Sequence, residues 1–265
     1  MRVLQRYSAL NKNHSHFKLI LHRLLLIIIV LTLFQIKGFS NENDSTVNRI
    51  FTLIYNQQFE KADSMLSVNE KVIDPFYVTI LKTDLYWWKY SISRSSKDAK
   101  ELSRVLDNLN SVSNNSVERK VTELIQRSYQ MRYERKRYNL IGVIFIRKDI
   151  NYLLQELKEE KLPLTGNELK LFSLYVAIFQ YFEFVNPFSF HKNSEEQNQS
   201  IKLMEKYAKE NDIMLNTLSN YFLGRIYQKI EKDYLKAQTC FEVLAGRFAE
   251  NEIFKEYVEE CKGKL

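Results

Sequence analysis

The chain has little of what usually interrupts helices. Its 265 residues include three prolines and six glycines. Long stretches without Pro or Gly that are rich in Leu, Lys and Glu favour helix. No segment alternates apolar and polar residues between turn signals, as a half-buried strand would. Aromatic residues make up 13% of the chain, which indicates a packed core. We therefore predict an all-α fold.

Residues and motifs for catalysis are also scarce. His14, His16 and His22 lie in the first 40 residues, which leaves His191 for the rest of the chain. One histidine excludes a multi-histidine metal site and limits triad chemistry to that residue. Phosphate-binding, dinucleotide-binding, nucleophile-elbow and EF-hand patterns are missing. We predict no catalytic, cofactor-binding or metal-binding residues. A glycosidase that uses two of the 32 acidic residues is the enzyme alternative.

The first 40 residues differ from the rest. They are basic without any acid, contain the apolar run Leu24 to Ile36, and end in Gly38-Phe39-Ser40, with small residues where a signal peptidase reads. This pattern predicts a secretory signal peptide at 1–40 and export of residues 41–265 to the periplasm or cell envelope. The alternative is an uncleaved membrane anchor through residues 19–36. It is less favoured because a span needs about 20 apolar residues, and Arg23 interrupts this one.

The leader also accounts for most of the net charge. Six of the 39 basic residues lie in the first 40 positions, which hold none of the 32 acids, so the remainder carries 33 basic against 32 acidic residues. A basic excess that belongs to the leader is poor evidence for nucleic acid binding. We predict no nucleic acid partner, and a membrane contact only if the leader is retained.

Apolar residues at three- and four-residue spacing predict ten or eleven helices. Asp74-Pro75 is a strong helix start, since an N-cap acid precedes Pro at the first helical position. Thr165-Gly166-Asn167-Glu168 is a capping box. The predicted helices are 46–56, one from Phe59 to about Leu66, Pro75–Ser93, Ala99–Ser111, Val117–Tyr138, Leu140–Lys161, Leu169–Val185, Glu195–Glu210, Ile213–Ile230, Tyr234–Phe248 and Glu252–Lys262. Short links between so many helices predict an α-solenoid, an array of antiparallel helix pairs, in a single domain at 41–265.

A stretch near the C-terminus carries a family resemblance. Leu223-Gly224-x-x-Tyr227 is followed by Ala237-x-x-x-Phe241, and the stretch resembles one tetratricopeptide repeat (TPR). Small residues stand where two helices approach closely, and large residues fill the space around them. The gap from Tyr227 to Ala237 is one residue longer than in the family. Phe59 to Leu66 resembles the second helix of another unit. The resemblance implies protein or peptide binding and no catalysis, and it transfers no binding residues.

Three segments combine aromatic with polar or basic residues. Arg127 to Tyr138 interleaves basic and aromatic side chains, which would suit a groove for phosphate and bases, or else a solvated helix face with Val121, Leu124, Met131 and Tyr138 in the core. An anionic membrane or polysaccharide surface is a further alternative for this segment. Apolar stripes place Trp87 and Trp88 in the core, although both could line a ligand pocket. Tyr86 and Tyr90 share a face with Thr79 and Thr83, and we predict exposed partner contacts there.

Phe188, Phe190 and His191 form the remaining candidate contact, a docking loop. We include Phe188 and Phe190 among the partner-binding residues and assign His191 no role. The two cysteines, Cys240 and Cys261, fall on successive predicted helices. A disulfide is permitted after export, and buried free thiols are the alternative. Leu169 to Val185 is apolar enough to suggest a membrane span, but its length and polar residues favour a buried helix.

The sequence therefore predicts an exported, TPR-like scaffold that binds a protein or peptide in the cell envelope and does not catalyse a reaction. Two alternatives remain open. One is a carbohydrate-active enzyme that uses two carboxylates on the same helices, and the other is a structural envelope component tethered by its leader.

Overall fold

The computed structural model describes residues 45–108, 116–185 and 194–265. These ranges are helical and contain no strand, which confirms the all-α prediction. The helices are α1 (45–55), α2 (Phe59–Asn69), α3 (Pro75–Ser93), α4 (Ser96–Asn108), α5 (Ser116–Lys136), α6 (Leu140–Lys158), α7 (Gly166–Val185), α8 (Ser194–Tyr207), α9 (Ile213–Ile226), α10 (Tyr234–Arg247) and α11 (Glu252–Lys262). A π-helical turn, Tyr227–Glu231, continues α9.

α3 and α7 begin where their capping residues indicate. The Asp74 carboxylate accepts a hydrogen bond from the backbone N–H of Phe76 at 2.8 Å, and Pro75 is the first residue of α3. The backbone N–H of Thr165 donates to the Glu168 carboxylate at 3.2 Å, at the start of α7. Such bonds satisfy the amide groups that a helix N-terminus leaves without internal partners.

Helix pairs form two layers within the compact unit Val47–Leu265. α3, α5, α7 and α9 pack on one another in this order, and each also packs on the helix that follows it, namely α4, α6, α8 and α10. Most of these paired helices are joined by only a few residues, so they run antiparallel. The inner layer, which we define as α3, α5, α7 and α9, therefore has one helix from each pair.

The two ends of this unit also touch. Ring centroids of Tyr55 in α1 and Phe254 in α11 are 6.3 Å apart, and the indole of Trp88 in α3 lies 5.5 Å from the ring of Tyr221 in α9. Asn251 donates to the backbone carbonyl of Tyr55 at 2.7 Å. In an open solenoid each repeat contacts only its neighbours. Here the first helices also pack on the last ones.

Gly224 lies at a close approach of α9 and α10, as the steric reading of the C-terminal stretch predicts. A Cβ atom at this position would lie 2.6 Å from a ring carbon of Phe241, whose side chain is fully buried. Gly142 is different, because a Cβ there would meet the side chain of its own N-cap residue, Asn139, at 2.6 Å. The close contact at Gly142 is therefore with the N-cap of its own helix and not with a neighbouring helix.

Two glycines on adjacent helices should respond oppositely to the same substitution. Gly224→Ala forces its new methyl group against a buried ring, so we expect a loss of about 1–3 kcal/mol in the free energy of unfolding. Gly246→Ala in α10 meets no atom within 4 Å and should stabilise by about 0.5–1 kcal/mol, because alanine favours helix. Urea denaturation of both variants measures the two changes. A loss of the same size in both would contradict the contact between Gly224 and Phe241.

Candidate functional site

A cavity of ≈ 240 Å³ lies between the four helices of the inner layer. Each helix contributes side chains from one face. In α5, α7 and α9 these side chains recur at spacings of three and four residues, which is the spacing of one helical face. The lining residues are Trp87 from α3; Ser128, Tyr129, Met131, Arg132 and Arg135 from α5; Tyr175, Ile178, Phe179 and Phe182 from α7; and Tyr221, Phe222 and Arg225 from α9.

The lining is aromatic and carries three arginines. The guanidinium carbon of Arg132 is 4.3 Å from the ring centroid of Trp87, 5.0 Å from that of Tyr129 and 5.2 Å from that of Phe222. Arg135 is exposed, whereas Arg132 and Arg225 are half-buried. Ion pairs in the described part of the chain involve Arg127, Arg137 and Arg147 but none of the three cavity arginines. Arg225 donates a hydrogen bond to Gln228 at 2.8 Å. Arg132 and Arg135 are therefore the cavity arginines that a ligand would engage.

A buried carboxylate, that of Asp84 in α3, is in contact with the cavity lining and is 1% exposed. It accepts hydrogen bonds from the hydroxyl groups of Tyr129 at 2.5 Å and Tyr55 at 3.2 Å. The Tyr129 and Tyr175 hydroxyls are 3.1 Å apart. Through Tyr129 and Tyr175, both of which line the cavity, this network connects the lining to α1, α3, α5 and α7.

Burial is the largest effect on the pKa values of Asp84 and Lys136 at this site. It raises the pKa of Asp84 to about 6, against the lowering effects of the hydrogen bond from Tyr129, the charge of Arg132 and the hydrogen bond from Tyr55. Lys136 lies with its ammonium 5.5 Å from the Trp87 ring centroid. Its pKa falls to about 8 because burial and the nearby charges of Arg94 and Arg132 disfavour the ammonium form. Positive charge is therefore concentrated beside the cavity.

Trp87, which lines the cavity, carries a buried polar group without a partner among the described residues. Its side chain is 7% exposed and lines the cavity, and its buried indole N–H has no hydrogen-bond partner in the described part of the chain. A buried donor without a partner costs about 1–3 kcal/mol, so this group lowers the stability of the fold at the edge of the cavity.

The arrangement suits a ligand that is apolar or aromatic and carries a negative group. Guanidinium groups bind carboxylates and phosphates through paired hydrogen bonds and also stack on aromatic faces. The lining holds no carboxylate, whereas a two-carboxylate glycosidase needs two that flank the scissile bond. This cavity therefore lacks the pair of carboxylates that the glycosidase alternative requires.

The structure divides the predicted basic and aromatic segment, Arg127 to Tyr138, between two environments. Arg127 pairs with Glu123 at 3.4 Å, as the solvated-face alternative predicts. Arg132 and Arg135 instead line the cavity together with Trp87. The core position assigned to Tyr138 is wrong, because this residue is 89% exposed. The core position of Trp88 is confirmed, and Trp87 is both buried and part of the cavity lining.

Tyr86 and Tyr90 are less exposed than the predicted partner contacts require. Tyr90 is 8% exposed and its ring lies 5.2 Å from that of Tyr133, so its predicted exposure is wrong. Thr79 and Thr83, on the same face, are fully buried. Tyr86 is half-buried and donates to Asp63 at 3.1 Å. The face is internal because α3 packs on α2, α4 and α5. Phe188, Phe190 and His191 lie outside the described residues.

The other candidate features are not assembled into sites. Cys240 and Cys261 are buried free thiols on α10 and α11, so the possible disulfide is not formed. Burial raises the pKa of Cys240 to about 12. No group of three or more potential metal ligands occurs in the part of the chain that the structure covers. Across the same ranges, no helix is both long and apolar enough to cross a membrane, and α7 contributes buried core residues as predicted.

Comparisons with known protein families, characterised proteins and solved structures find no match to this chain. The fold and the site together define an all-α protein with an aromatic, arginine-lined cavity between the helices of its inner layer.

Proposed function

We propose that this chain is an exported, non-catalytic TPR-like module that binds a protein or peptide partner through the cavity of its inner layer. The observation that carries the proposal is the cavity itself, where three arginines without ion pairs surround an aromatic lining. A partner would insert an apolar side chain next to a carboxylate. The carboxylate would bind at Arg132 and Arg135, and the apolar group would pack on Trp87 and Phe222.

The helix arrangement supports the TPR-like part of this proposal. Gly224 and Phe241, two residues of the repeat pattern, meet at the α9–α10 approach. The π-helical turn Tyr227–Glu231 lies within the gap that is one residue longer than the family's. A π-turn holds one residue more than an α-turn, so it accommodates that extra residue. The contacts between the first and last helices distinguish this array from an open one.

The leader supports the export part, and a direct measurement tests it. Expression of the full chain should give a mature protein that begins at Asn41 and fractionates as a soluble exported protein. Retention of Met1 with pelleting in the membrane fraction would contradict export as a soluble module and favour the tethered alternative.

Peptide binding should depend on the cavity arginines. We would select peptides from a displayed random library on the full chain and measure their affinity by fluorescence polarisation. Arg135→Gln removes an exposed cation without a described ion pair, and Arg132→Met removes the half-buried one. We expect about 10- to 100-fold weaker binding for Arg132→Met, because a hydrogen bond to a charged group contributes about 1.5–3 kcal/mol, and a smaller loss for Arg135→Gln.

The matched control is Arg119→Met, an exposed position on the same helix, α5. It should leave affinity unchanged, and thermal unfolding should show that all three variants remain folded. Equal affinity of wild type and both cavity variants would contradict the proposed site. Selection of no peptide, together with turnover of a glycan, would replace the binding module by the carbohydrate-active alternative.

A further inference from the structure

The most exposed apolar surface on the described chain is the turn between α5 and α6 with the first two turns of α6. We call residues 135–148 the α5–α6 tip. Five large side chains there are far more exposed than the core: Tyr138 89%, Leu140 65%, Ile141 69%, Ile144 61% and Phe145 65%. A contiguous exposed apolar surface of this kind marks an interaction site more often than chance exposure does.

The helix packing explains why these side chains remain outside. α6 buries Ile146, Ile150, Leu153 and Leu157, which recur at three- and four-residue spacing and face α5. Ile141, Ile144 and Phe145 fall on another face of the same helix and remain more than half exposed, although Ile144 also borders a depression beside Phe182 of α7. Tyr138 has a left-handed backbone with φ of 59°, and it lies in the turn that reverses the chain beside Leu140. The apolar side chains are thus grouped at one end of a helical hairpin.

The charge around the tip is net positive. Residues 132–149 contain six basic and two acidic residues, whereas residues 41–265 as a whole are almost neutral. Two of the six do not add free charge to the tip, because Arg132 lines the cavity and Arg147 pairs with Glu183 at 2.6 Å. Arg135, Arg137 and Lys148 are exposed, and one of the two acids, Glu134, lies 3.9 Å from Arg137. An occupant of this surface must therefore offer both an apolar phase and negative charge.

The combination of exposed apolar side chains and positive charge at the tip distinguishes between possible binding partners. A second copy of the chain would bring the same positive charge against the tip, and juxtaposed like charges oppose association. A nucleic acid offers phosphates but would leave exposed Leu and Ile side chains without an apolar partner. The surface of an anionic bilayer offers both, because acyl chains lie just below negatively charged headgroups.

We propose that the α5–α6 tip docks into the interface of an anionic lipid bilayer. Leu140, Ile141, Ile144 and Phe145 enter the boundary between headgroups and acyl chains, and Tyr138 lies at headgroup depth, where amphipathic rings are favoured. Arg137 and Lys148 extend their charged ends to the lipid phosphates. This binding goes beyond the proposed peptide site, whose lining lies between the inner-layer helices.

The test uses a fluorescent reporter placed on the tip, so that the apolar leader of the full chain cannot produce the signal. Phe145→Trp reports on the tip, and Leu235→Trp in α10, whose native side chain is 63% exposed, is the matched control. The native Trp87 and Trp88 are 7% and 3% exposed, and the wild-type chain supplies their constant background. Vesicles carry brominated acyl chains in either phosphatidylglycerol or phosphatidylcholine, and bromine quenches a tryptophan that reaches the acyl region.

We expect quenching of Phe145→Trp by phosphatidylglycerol vesicles, little quenching by phosphatidylcholine vesicles, and none for Leu235→Trp in either. Arg137→Gln and Lys148→Gln in the Phe145→Trp chain should each lower the ratio of docked to free tip about fivefold, as expected for one basic residue at an anionic surface. Added salt should have the same effect by screening.

Several results would overturn the proposal. Absence of quenching at position 145 in anionic vesicles would show that the tip does not enter a bilayer. Equal quenching in both lipids would show that charge plays no part. A blue shift of the position-145 emission with rising protein concentration and no lipid would identify a second copy as the occupant. Equal quenching at positions 145 and 235 would show that contact is not specific to the tip.

Discussion

Replacing Asp84 by asparagine should remove about 3 kcal/mol of pH dependence from the stability of this protein. The folded-state pKa of Asp84 is raised to about 6 from the ordinary value of 3.8. Between these values the folded chain holds a proton that the unfolded chain has released. The stabilisation from this group is therefore complete below pH 3.8 and is lost as pH rises through 6. Each pH unit of that interval corresponds to about 1.4 kcal/mol.

The measurement is urea denaturation of the wild type and Asp84→Asn at several values between pH 4 and pH 7. The difference in unfolding free energy, wild type minus variant, should fall by about 2–2.5 kcal/mol across this range, because at pH 4 part of the effect is already lost. Asparagine has nearly the same shape, and its amide can still accept from one tyrosine hydroxyl. Other titrating groups contribute equally to both proteins and cancel in the difference.

Asp98→Asn provides a control of opposite sign. The hydroxyl groups of Ser93 and Ser95 hold the pKa of Asp98 below its ordinary value, so its stabilisation is present at neutral pH and is lost as pH falls. A wild-type-minus-Asp84→Asn difference that rises with pH would show that the charge of Arg132 outweighs burial. A difference without pH dependence would show that water reaches Asp84.

The titration of Asp84 also relates to ligand binding in the cavity. The positive charge of Arg132 lowers the pKa of Asp84. A bound carboxylate would offset that charge and raise the pKa further, so binding would be accompanied by proton uptake near pH 6. The proposed peptides should therefore bind more tightly at pH 5.5 than at pH 7.5. The same comparison in Asp84→Asn isolates this contribution.

Sequence periodicity was sufficient to predict most helices because their signals are local. The bounds Pro75–Ser93 and Glu252–Lys262 agree with the structure at both ends, since caps and turn residues determine them. The Gly224–Phe241 approach was also predictable, because a small and a large residue on consecutive helices imply a close contact. Tyr90 was misplaced because its face is covered by other helices, and periodicity on one helix carries no information about what packs against it.

The sequence indicated only some of the residues that line the cavity. Arg132 and Arg135 belong to the interleaved basic segment, and Trp87 was weighed as a pocket residue, but nothing local indicates that they meet. Their contact follows from the stacking of α3 on α5 and of α7 on α9. Asp84 gave a signal that we missed. An acid between Leu81 and Leu85 on an apolar helix is rarely buried unless it is paired, which predicts hydrogen-bonding partners on another element.

Asn251→Ala should be among the most destabilising single substitutions outside the apolar core. This side chain is fully buried. Its carbonyl oxygen accepts from the backbone N–H of Ile253 at 3.1 Å, as the N-cap of α11, and from the side-chain amide of Gln57 at 2.8 Å. Its amide donates to the backbone carbonyl of Tyr55 at 2.7 Å. Alanine leaves the Tyr55 carbonyl buried without this donor, so we expect a loss of about 2–4 kcal/mol.

Asp233→Ala separates the capping function of Asn251 from its contact with α1. Asp233 is the N-cap of α10 and accepts from the backbone N–H of Lys236 at 3.1 Å. Its loss should cost only about 1 kcal/mol, the usual value for a cap. The excess cost of Asn251→Ala over Asp233→Ala then measures the connection between the first and last helices. It should exceed about 1 kcal/mol, or about 2–4 °C in Tm for a domain of this size.

Asn251→Asp tests whether the excess cost comes from the hydrogen bond to Tyr55. A carboxylate retains both acceptor functions of Asn251 and loses the donor to the Tyr55 carbonyl. We expect most of the excess cost to remain in this variant, since a carboxylate oxygen would face a carbonyl oxygen in a buried site. Equal costs for Asn251→Ala and Asp233→Ala would show that α1 contributes nothing through this bond. The array would then behave as an open solenoid, whose stability depends on contacts between neighbouring repeats. A larger cost for Asn251→Ala than for Asp233→Ala would instead show that the contact between the first and last helices stabilises the inner layer, and with it the walls of the cavity.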